Sequence, residues 1–346
     1  PGAAQYVSLN TVKLLGSETR MTKLANDTMP EDLDEAMGFA APHDVPVPYM
    51  YRTRTYYQAL GYERPYRWAQ YVDVPFTALA KPLSQSKVAF ITTAAPFDPD
   101  KGDQGPWSSY NSAAKFYRVY SLPVEPVPDL RISHVGIDRL HTSQEDPRSW
   151  LPIAQLRRLG QEGRIGEFSP RMHGAPTNRS HKATIEQDCP DMLSRLREDN
   201  VDVAVLAANC PVCHQSISLH ARYLEENGIP TVVMGCAKDI VEHCGVPRFL
   251  FSDFPLGNAC GRPFDEDSQA RTMEMALEVL ESATGPRTTR QSPIRWSDNP
   301  DWKLDYSNVE RIEPEELERR RQEFLRQKEI AKAKRAADLG KPEAAE

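Results

Sequence analysis

The chain has 346 residues, 40% hydrophobic and 26% charged, with a formal net charge of -7. This length allows a large core, and the negative charge excludes a general attraction to nucleic acid or anionic membranes. No apolar run approaches the roughly 18 residues needed to span a bilayer, and the first residues do not resemble a signal peptide. The sequence therefore predicts a cytoplasmic protein without membrane or nucleic-acid partners. Its six cysteines are then expected to be reactive, metal-bound or buried.

The first part of the chain is the least periodic. Residues 1–85 are predicted to form an irregular, partly helical segment that packs on the body. Within them, 49–62 is rich in tyrosine and arginine and is predicted to be a helix. Its tyrosines either pack inward or form a surface for a substrate or partner.

The middle of the chain begins with a predicted strand at 86–97. The polar loop DKGDQGPW (100–107) follows, and a loop of this kind often covers a binding site. A second strand is predicted at 129–138, and a helix closed by glycine at 150–166.

From Cys189 onward, helices alternate with short apolar strands. The predicted elements are a helix at 189–200, a strand at 201–208, a helix at 216–228, a strand at 229–235, a helix at 238–245, a strand at 247–255 and a helix at 268–283. Continuous apolar strands between helices are typical of a parallel sheet covered on both faces. The sequence thus predicts an α/β domain over 86–285, with a doubly wound, mostly parallel sheet and helices on both faces.

The C-terminal residues 286–346 are predicted to form a wrapping segment followed by an extended charged helix. The apolar stripe of this helix is thin, consisting of Leu317, Phe324, Leu325 and Ile330. A helix with such a stripe is expected to project or to dock on another subunit. We therefore expect a homo-oligomer, or a hetero-oligomeric complex assembled through this helix.

The motif CPVCH (210–214) stands where an open α/β sheet binds its ligands, at the carboxyl end of a strand. Cys210 directly follows the strand, and Cys213 lies in the first turn of the next helix. The amides and dipole of a helix N-terminus favour thiolate, and Pro211 suits the start of a helix. The placement favours a reactive cysteine.

Other chemistries share this motif. A c-type haem site would need an exported chain and an axial ligand, and a strand-to-helix turn in a cytoplasmic protein offers neither. Zinc or iron would need a third ligand from His134 or Cys236. Two small buried cysteines with no chemistry are a further alternative. We expect no tightly bound cofactor and no metal under the favoured interpretation.

Several polar residues follow other predicted strands and are expected to converge near Cys210. Histidine titrates near neutrality, so His214 or His134 would be the general acid or base. Arg179 either grips an anionic group of the substrate or forms an internal ion pair. The remaining candidates for the substrate pocket are Asp138, His141, Cys236, Asp253 and Asn258. Of these, Cys236 could equally be a core residue and His141 a solvated loop residue.

Four runs of this sequence resemble the selenoprotein B family of glycine, sarcosine and betaine reductases and the related D-proline reductase subunit. They are AAKFYRVYSLPVEPVPDLRISHVGIDR, DPRSWLPIAQLRRLGQEGRIGEFSPR, VDVAVLAANCPVCHQSISLHARYLEENGIPTVVMG and FSDFPLGNACGRPFDEDSQ. The resemblance covers about residues 45–285, and the motifs occur in the family's order.

The resemblance implies that Cys210 occupies the selenocysteine position and Cys213 the position of the family's cysteine. In such reductases the selenol attacks the substrate carbon, or receives it from a pyruvoyl adduct on a partner subunit, and a C–N bond is cleaved. A selenenyl-sulfide formed with the second thiol is then reduced by electrons of the thioredoxin type. This chain would thus be a thiol-dependent reductase with Cys210 as nucleophile and Cys213 as resolving thiol.

This sequence departs from the family pattern by its cysteine, a weaker nucleophile than selenocysteine, and it shows no pyruvoyl-precursor segment. Cleavage of a C–N, C–S or C–halogen bond in a small anionic substrate would suit the dithiol. A non-catalytic subunit of a reductase complex is the remaining alternative.

Overall fold

The computed structural model describes residues 45–62, 66–177 and 180–339. The strands are β1 (Lys87–Thr92), β2 (Ala95–Pro96), β3 (Tyr120–Pro123), β4 (Leu130–Arg131), β5 (Glu167–Phe168), β6 (Arg171–Gly174), β7 (Val203–Ala207), β8 (Thr231–Gly235), β9 (Arg248–Phe251) and β10 (Thr288–Gln291). One sheet carries the strands in the order β10-β9-β8-β7-β1-β6-β3, and β5 pairs with the beginning of β1 on the same edge as β6. A separate two-stranded sheet joins β2 and β4.

The main sheet is parallel except for β3, which runs antiparallel to β6. The central strands β7, β8 and β9 are buried at every position, as their unbroken apolar sequences predict. The principal helices are α1 (Tyr49–Ala59), α2 (Ile153–Gln161), α3 (Cys189–Glu198), α4 (Pro211–Glu226), α5 (Lys238–Cys244), α6 (Glu266–Ser282) and α7 (Pro314–Leu339).

The helices pack in two groups. Helix α4 contacts α1, α3 and α5, whereas α2 contacts α6. Both α4 and α6 contact β8, a strand with no exposed residue, so the two groups cover opposite faces of the sheet. The α/β prediction of a doubly wound, mostly parallel sheet is confirmed.

One local prediction about strands was wrong, and other strands were not predicted. Only Leu130–Arg131 of the strand expected at 129–138 is extended, and it pairs with β2 outside the main sheet. The expected strand ends in a turn at 138–141, where the Asp138 carboxylate accepts hydrogen bonds from the backbone N–H groups of Leu140 and His141. Strands β3, β6 and β10 were missed because they lie near the ends of the sheet and lack a continuous apolar run.

The C-terminal helix α7 packs on the body of its own chain, so the expectation that it projects was wrong, and its docking on another subunit stays a prediction. The Gln327 side chain accepts hydrogen bonds from the backbone N–H and hydroxyl of Ser112, at 3.0 and 2.6 Å. Phe324 packs edge-on against the rings of Tyr57 and Tyr62, which also contact each other. One aromatic residue and one amide therefore anchor a helix whose other faces carry charge.

The proposed boundaries at residues 85 and 285 stay predictions, and residues 1–44 of the first segment lie outside the described residues. Within the described parts of the chain, none of the helices combines the length and the apolar character needed to cross a bilayer.

Candidate active site

The carboxyl ends of the parallel strands bring the two cysteines of the CPVCH motif to one edge of the sheet. Cys210 follows β7 and caps helix α4, and its sulfur accepts a hydrogen bond from the Cys213 N–H at 3.2 Å. The two sulfurs form a disulfide, with the Cα atoms 4.8 Å apart. This Cα separation lies within the usual range for a disulfide, so the turn accommodates the bond.

The two cysteines differ in access. Cys210 lines an open pocket of about 630 Å³, counting the space at its mouth, whereas Cys213 is fully buried beneath it. The other residues of the pocket wall are Thr53, Tyr56, Tyr57, Tyr110, Lys115, His134, Val135, Gly136, Thr177, Pro211, Val212, Tyr306 and Ser307. A ligand in this pocket would meet the sulfur of Cys210 first.

His134 lies next to the disulfide although its predicted strand is a loop. One of its ring nitrogens is within 4.8 Å of both cysteine sulfurs. Nε2 lies 2.7 Å from the Thr93 carbonyl oxygen, which can only accept a hydrogen bond, so Nε2 carries the proton and Nδ1 is the basic nitrogen. Burial lowers the pKa of His134 to about 4, so the ring is neutral near pH 7.

His214 is held entirely by backbone groups. Its Nδ1 donates to the Cys210 carbonyl at 2.7 Å, and Nε2 accepts from the N–H groups of Cys236 and Ala237 at 2.9 and 3.1 Å. The ring passes so close to Gly235 that a Cβ there would lie 2.6 Å from Nε2. Burial lowers the pKa of His214 to about 4. Of the two histidines proposed as acid or base, His134 alone lines the pocket. The His214 ring links the turn after β7 to the turn after β8.

Cys236 and Asn258 are buried beside these turns and outside the described pocket wall. Burial raises the pKa of the Cys236 thiol to about 12, which disfavours its thiolate. The Asn258 amide donates to the Pro255 carbonyl at 3.0 Å and accepts from the Thr142 hydroxyl at 3.3 Å. These contacts occupy both ends of the Asn258 side chain and stabilise the turn after β9.

The candidate acids Asp138 and Asp253 form contacts with residues other than the two cysteines. Asp138 is buried and bonds to His141 at 3.0 Å, and this hydrogen bond raises the pKa of His141. Asp253 pairs with Lys303 from the C-terminal segment. Neither acid belongs to the described wall of the pocket at Cys210, nor does His141. The structure therefore separates these three residues from the disulfide.

Arg179 lies outside the described residues. The loop at 100–107 does not contribute to the described pocket wall, but Tyr110 and Lys115 from the residues after it do. The tyrosine-rich segment at 49–62, which the sequence indicates as a possible substrate surface, supplies Thr53, Tyr56 and Tyr57. The sequence gives no signal for Lys115, because a single polar residue means little without its neighbours.

The geometry of Cys210, Cys213 and His134 supports two kinds of chemistry. An accessible sulfur above a buried one suits a nucleophile with a resolving partner. Reduced cysteines with a histidine would also offer three ligands to zinc or iron. Within the described residues, the group of side chains that could hold a metal ion consists of His134, Cys210 and Cys213, and Cys236 is not part of it.

Comparison with known proteins places this geometry in a family. The sequence profile of glycine/sarcosine/betaine reductase selenoprotein B matches residues 58–209, ending at the residue before Cys210. The chain is 30% identical over 208 residues to D-proline reductase subunit gamma of Acetoanaerobium sticklandii, covering 59% of this chain and 82% of that protein. It is 24% identical over 228 residues to glycine reductase complex component B subunit gamma of Symbiobacterium thermophilum, covering 65% of this chain and 52% of that protein. No solved structure matches the chain.

The names of both relatives identify them as subunits of reductases, one of them within a complex. The first alignment spans most of its relative, and the profile match covers the first strands of the sheet. The chain belongs to the glycine/sarcosine/betaine reductase selenoprotein B family, a family of oxidoreductases.

Proposed function

We propose that this chain is a thiol-dependent reductase that cleaves a C–N, C–S or C–halogen bond in a small anionic substrate. Cys210 is the nucleophile and Cys213 the resolving thiol. The observation that carries the proposal is the paired position of the two sulfurs. Cys210 faces the pocket at the N-terminus of α4, with Cys213 buried directly beneath it.

The proposed reaction balances in two steps. The Cys210 thiolate attacks the substrate carbon and expels the amine, thiolate or halide, which leaves with the bonding electron pair. The Cys213 thiolate then attacks the Cys210 sulfur, so that an S–S bond forms and the C–S bond breaks. The carbon departs with that electron pair and takes up a proton. An electron-withdrawing group beside this carbon must stabilise it as it leaves.

The disulfide formed in this way must be reduced before another turnover. An external thiol or a thioredoxin-type donor would supply two electrons by thiol–disulfide exchange, and no tightly bound cofactor is required. His134 is the proposed base, because one of its ring nitrogens lies within 4.8 Å of both sulfurs and its Nδ1 is free of the proton that Nε2 donates to Thr93.

The test measures alkylation by iodoacetamide against pH on reduced, metal-analysed protein, comparing wild type with Cys210→Ser and Cys213→Ser. The proposal expects a thiolate that titrates below the ordinary cysteine pKa of about 8.5 and disappears in Cys210→Ser. The same protein, once oxidised, should regain both thiols on treatment with a dithiol. An unreactive Cys210 in metal-free, reduced protein would contradict the proposal.

A metal centre is the second candidate, because His134, Cys210 and Cys213 place ligand atoms within 4.8 Å of one another. Zinc or iron on these three residues would keep a position open for substrate. The contact from Thr93 would orient the His134 ring as an outer partner. Metal binding needs both sulfurs as reduced thiolates, so a bound metal and the disulfide cannot exist at the same time. Stoichiometric metal that is lost in both serine variants would favour the metal centre.

We further propose that the protein works in the cytoplasm within a homo-oligomer or a hetero-oligomeric reductase complex. The support is the subunit status of its relatives and the charged outer face of α7. Sedimentation of wild type and of a variant with outer-face charges reversed would test this assembly. If Cys210→Ser left the activity of a reconstituted complex unchanged, the chain would be a non-catalytic subunit.

A further inference from the structure

Arg139 lies in the loop that carries His134, and three backbone carbonyls fix its guanidinium. Nε donates to Ser108 at 2.9 Å, Nη1 to Val135 at 3.3 Å and Nη2 to His134 at 2.8 Å. A guanidinium has five N–H donors, so Nη1 and Nη2 each retain one. The side chain is therefore held in one orientation with two donors to spare.

Arg139 forms no salt bridge with a carboxylate in the described parts of the chain, and its three hydrogen bonds all go to backbone carbonyls. Burial lowers its pKa to about 10. Placing a cation away from water without an acidic partner is costly. A fixed, half-buried arginine with two spare donors and no ion pair is arranged to receive an anion from outside the chain.

Arg139 lines a chamber between α1 and the C-terminal helix α7. This chamber shares Tyr56, Tyr110, Val135, Tyr306 and Ser307 with the pocket at Cys210, so the two cavities adjoin. A ligand could reach from one to the other past the Val135 backbone.

The opposite wall of the chamber adds no net charge. Arg319 and Arg320 of α7 line it together with Glu323, and both arginines pair with Glu316. Asp138 lines the chamber as well, with its carboxylate bonded to the His141 ring. Binding of an anion here therefore depends on the fixed guanidinium of Arg139.

We propose that Arg139 binds the carboxylate of the substrate in the chamber under α7, while the carbon to be attacked lies at Cys210. This inference rests on the proposed function, which it deepens by assigning the anion-binding residue. It predicts a carboxylate several bonds away from the reacting carbon, because Arg139 is on the far side of the His134–Val135 backbone. The forked donors of arginine match a carboxylate better than a lysine would.

The test uses two alkylating probes of equal length, N-iodoacetylglycine and its uncharged amide, N-iodoacetylglycinamide. Their rates of reaction at Cys210 are compared in reduced wild type, Arg139→Gln and Arg139→Lys. We expect the wild type to prefer the acid and Arg139→Gln to lose that preference by about tenfold, as for one hydrogen bond to a charged group. Arg139→Lys keeps the charge without the paired donors of a guanidinium, and we expect its preference for the acid to fall by about threefold.

Two further variants control for general charge effects. Arg157→Gln removes an arginine that pairs with Glu125 and should leave the ratio of the two rates unchanged. Lys115→Gln removes the lysine at the pocket wall, and its effect should be smaller than that of Arg139→Gln. A ratio that is insensitive to Arg139 but lost in Lys115→Gln would overturn the proposal.

A binding measurement separates this inference from the proposed function. Calorimetric titration of the oxidised protein with N-acetylglycine needs no reactive thiol, and we expect Arg139→Gln to weaken binding about tenfold. If this occurs while Cys210 resists alkylation, the anion site stands and the reductase proposal fails. If Cys210 reacts equally with both probes and Arg139→Gln binds N-acetylglycine as tightly as the wild type, the reductase proposal stands and Arg139 does not bind the carboxylate. Where Arg139→Gln does not fold, unchanged binding and rates in Arg139→Lys would overturn the assignment.

Discussion

The hydrogen bonding of His214 predicts that replacing it destabilises the fold and does not remove an acid or base. In His214→Leu the N–H groups of Cys236 and Ala237 lose their acceptor, whereas the Cys210 carbonyl loses the imidazole donor but keeps the backbone N–H of residue 214. All three backbone groups are buried at the turns after β7 and β8. Leucine fills part of the volume but offers none of these hydrogen bonds.

The magnitude follows from the two N–H groups that are left without a partner. A buried polar group without a partner costs about 1–3 kcal/mol. We therefore expect a loss of about 2–6 kcal/mol in the free energy of unfolding, a large part of the roughly 5–15 kcal/mol available to a domain.

The pH dependence gives a second signature. The pKa of His214 falls from about 6.5 in the unfolded chain to about 4 in the folded one, so the unfolded state binds more protons between these values. Stability must therefore fall as the pH drops from about 6.5 towards 4, and this group contributes about 3 kcal/mol to that fall. His214→Leu removes the contribution, so its remaining stability should depend less on pH than that of the wild type.

The assay is urea unfolding of wild type and His214→Leu at pH 7.5 and 5, with the half-exposed His243→Leu as a matched control. The control should change stability by less than about 0.5 kcal/mol. The structural reasoning is refuted if His214→Leu unfolds like the wild type while the pH profile of Cys210 alkylation shifts. That result would return His214 to the role of acid or base.

Two other predictions concern charged pairs. Glu225 and Arg248 form a fully buried ion pair at 2.7 Å, so Glu225→Leu should cost about 3–5 kcal/mol, and urea unfolding should show that adding Arg248→Met recovers much of the loss. His141 bonds to Asp138 and lies 3.4 Å from Asp305, contacts that raise its pKa. Its contribution to stability is therefore complete below its unfolded pKa of about 6.5 and is lost as the pH rises through the higher folded value. His141→Gln should then be more destabilising at pH 5.5 than at pH 9, and an equal loss at both values would contradict this assignment.

The alternation of apolar strands and amphipathic helices after residue 189 was sufficient to predict the fold class. Burial on both faces of the sheet leaves a continuous hydrophobic signal in β7 and β8, independent of distant contacts. The placement of Cys210 at a strand end and helix start could likewise be predicted, because it depends only on neighbouring elements. The edge strand β10 could not, since Thr288–Gln291 is half-exposed and its extended form depends on pairing with β9.

The partners of each polar side chain were decided by the tertiary structure alone. His134 and His214 look alike in sequence, yet one ring lies at the pocket and the other is bonded to three backbone groups of two turns. Arg139 gave no signal in the sequence, because its lack of a salt bridge is visible only once its neighbours are known. The amino-acid sequence by itself determined the central strands, the principal helices and the position of the reactive pair, through local periodicity. The division of the polar residues between structural and chemical roles required contacts between distant segments, because hydrogen bonding and desolvation depend on what surrounds each group in space.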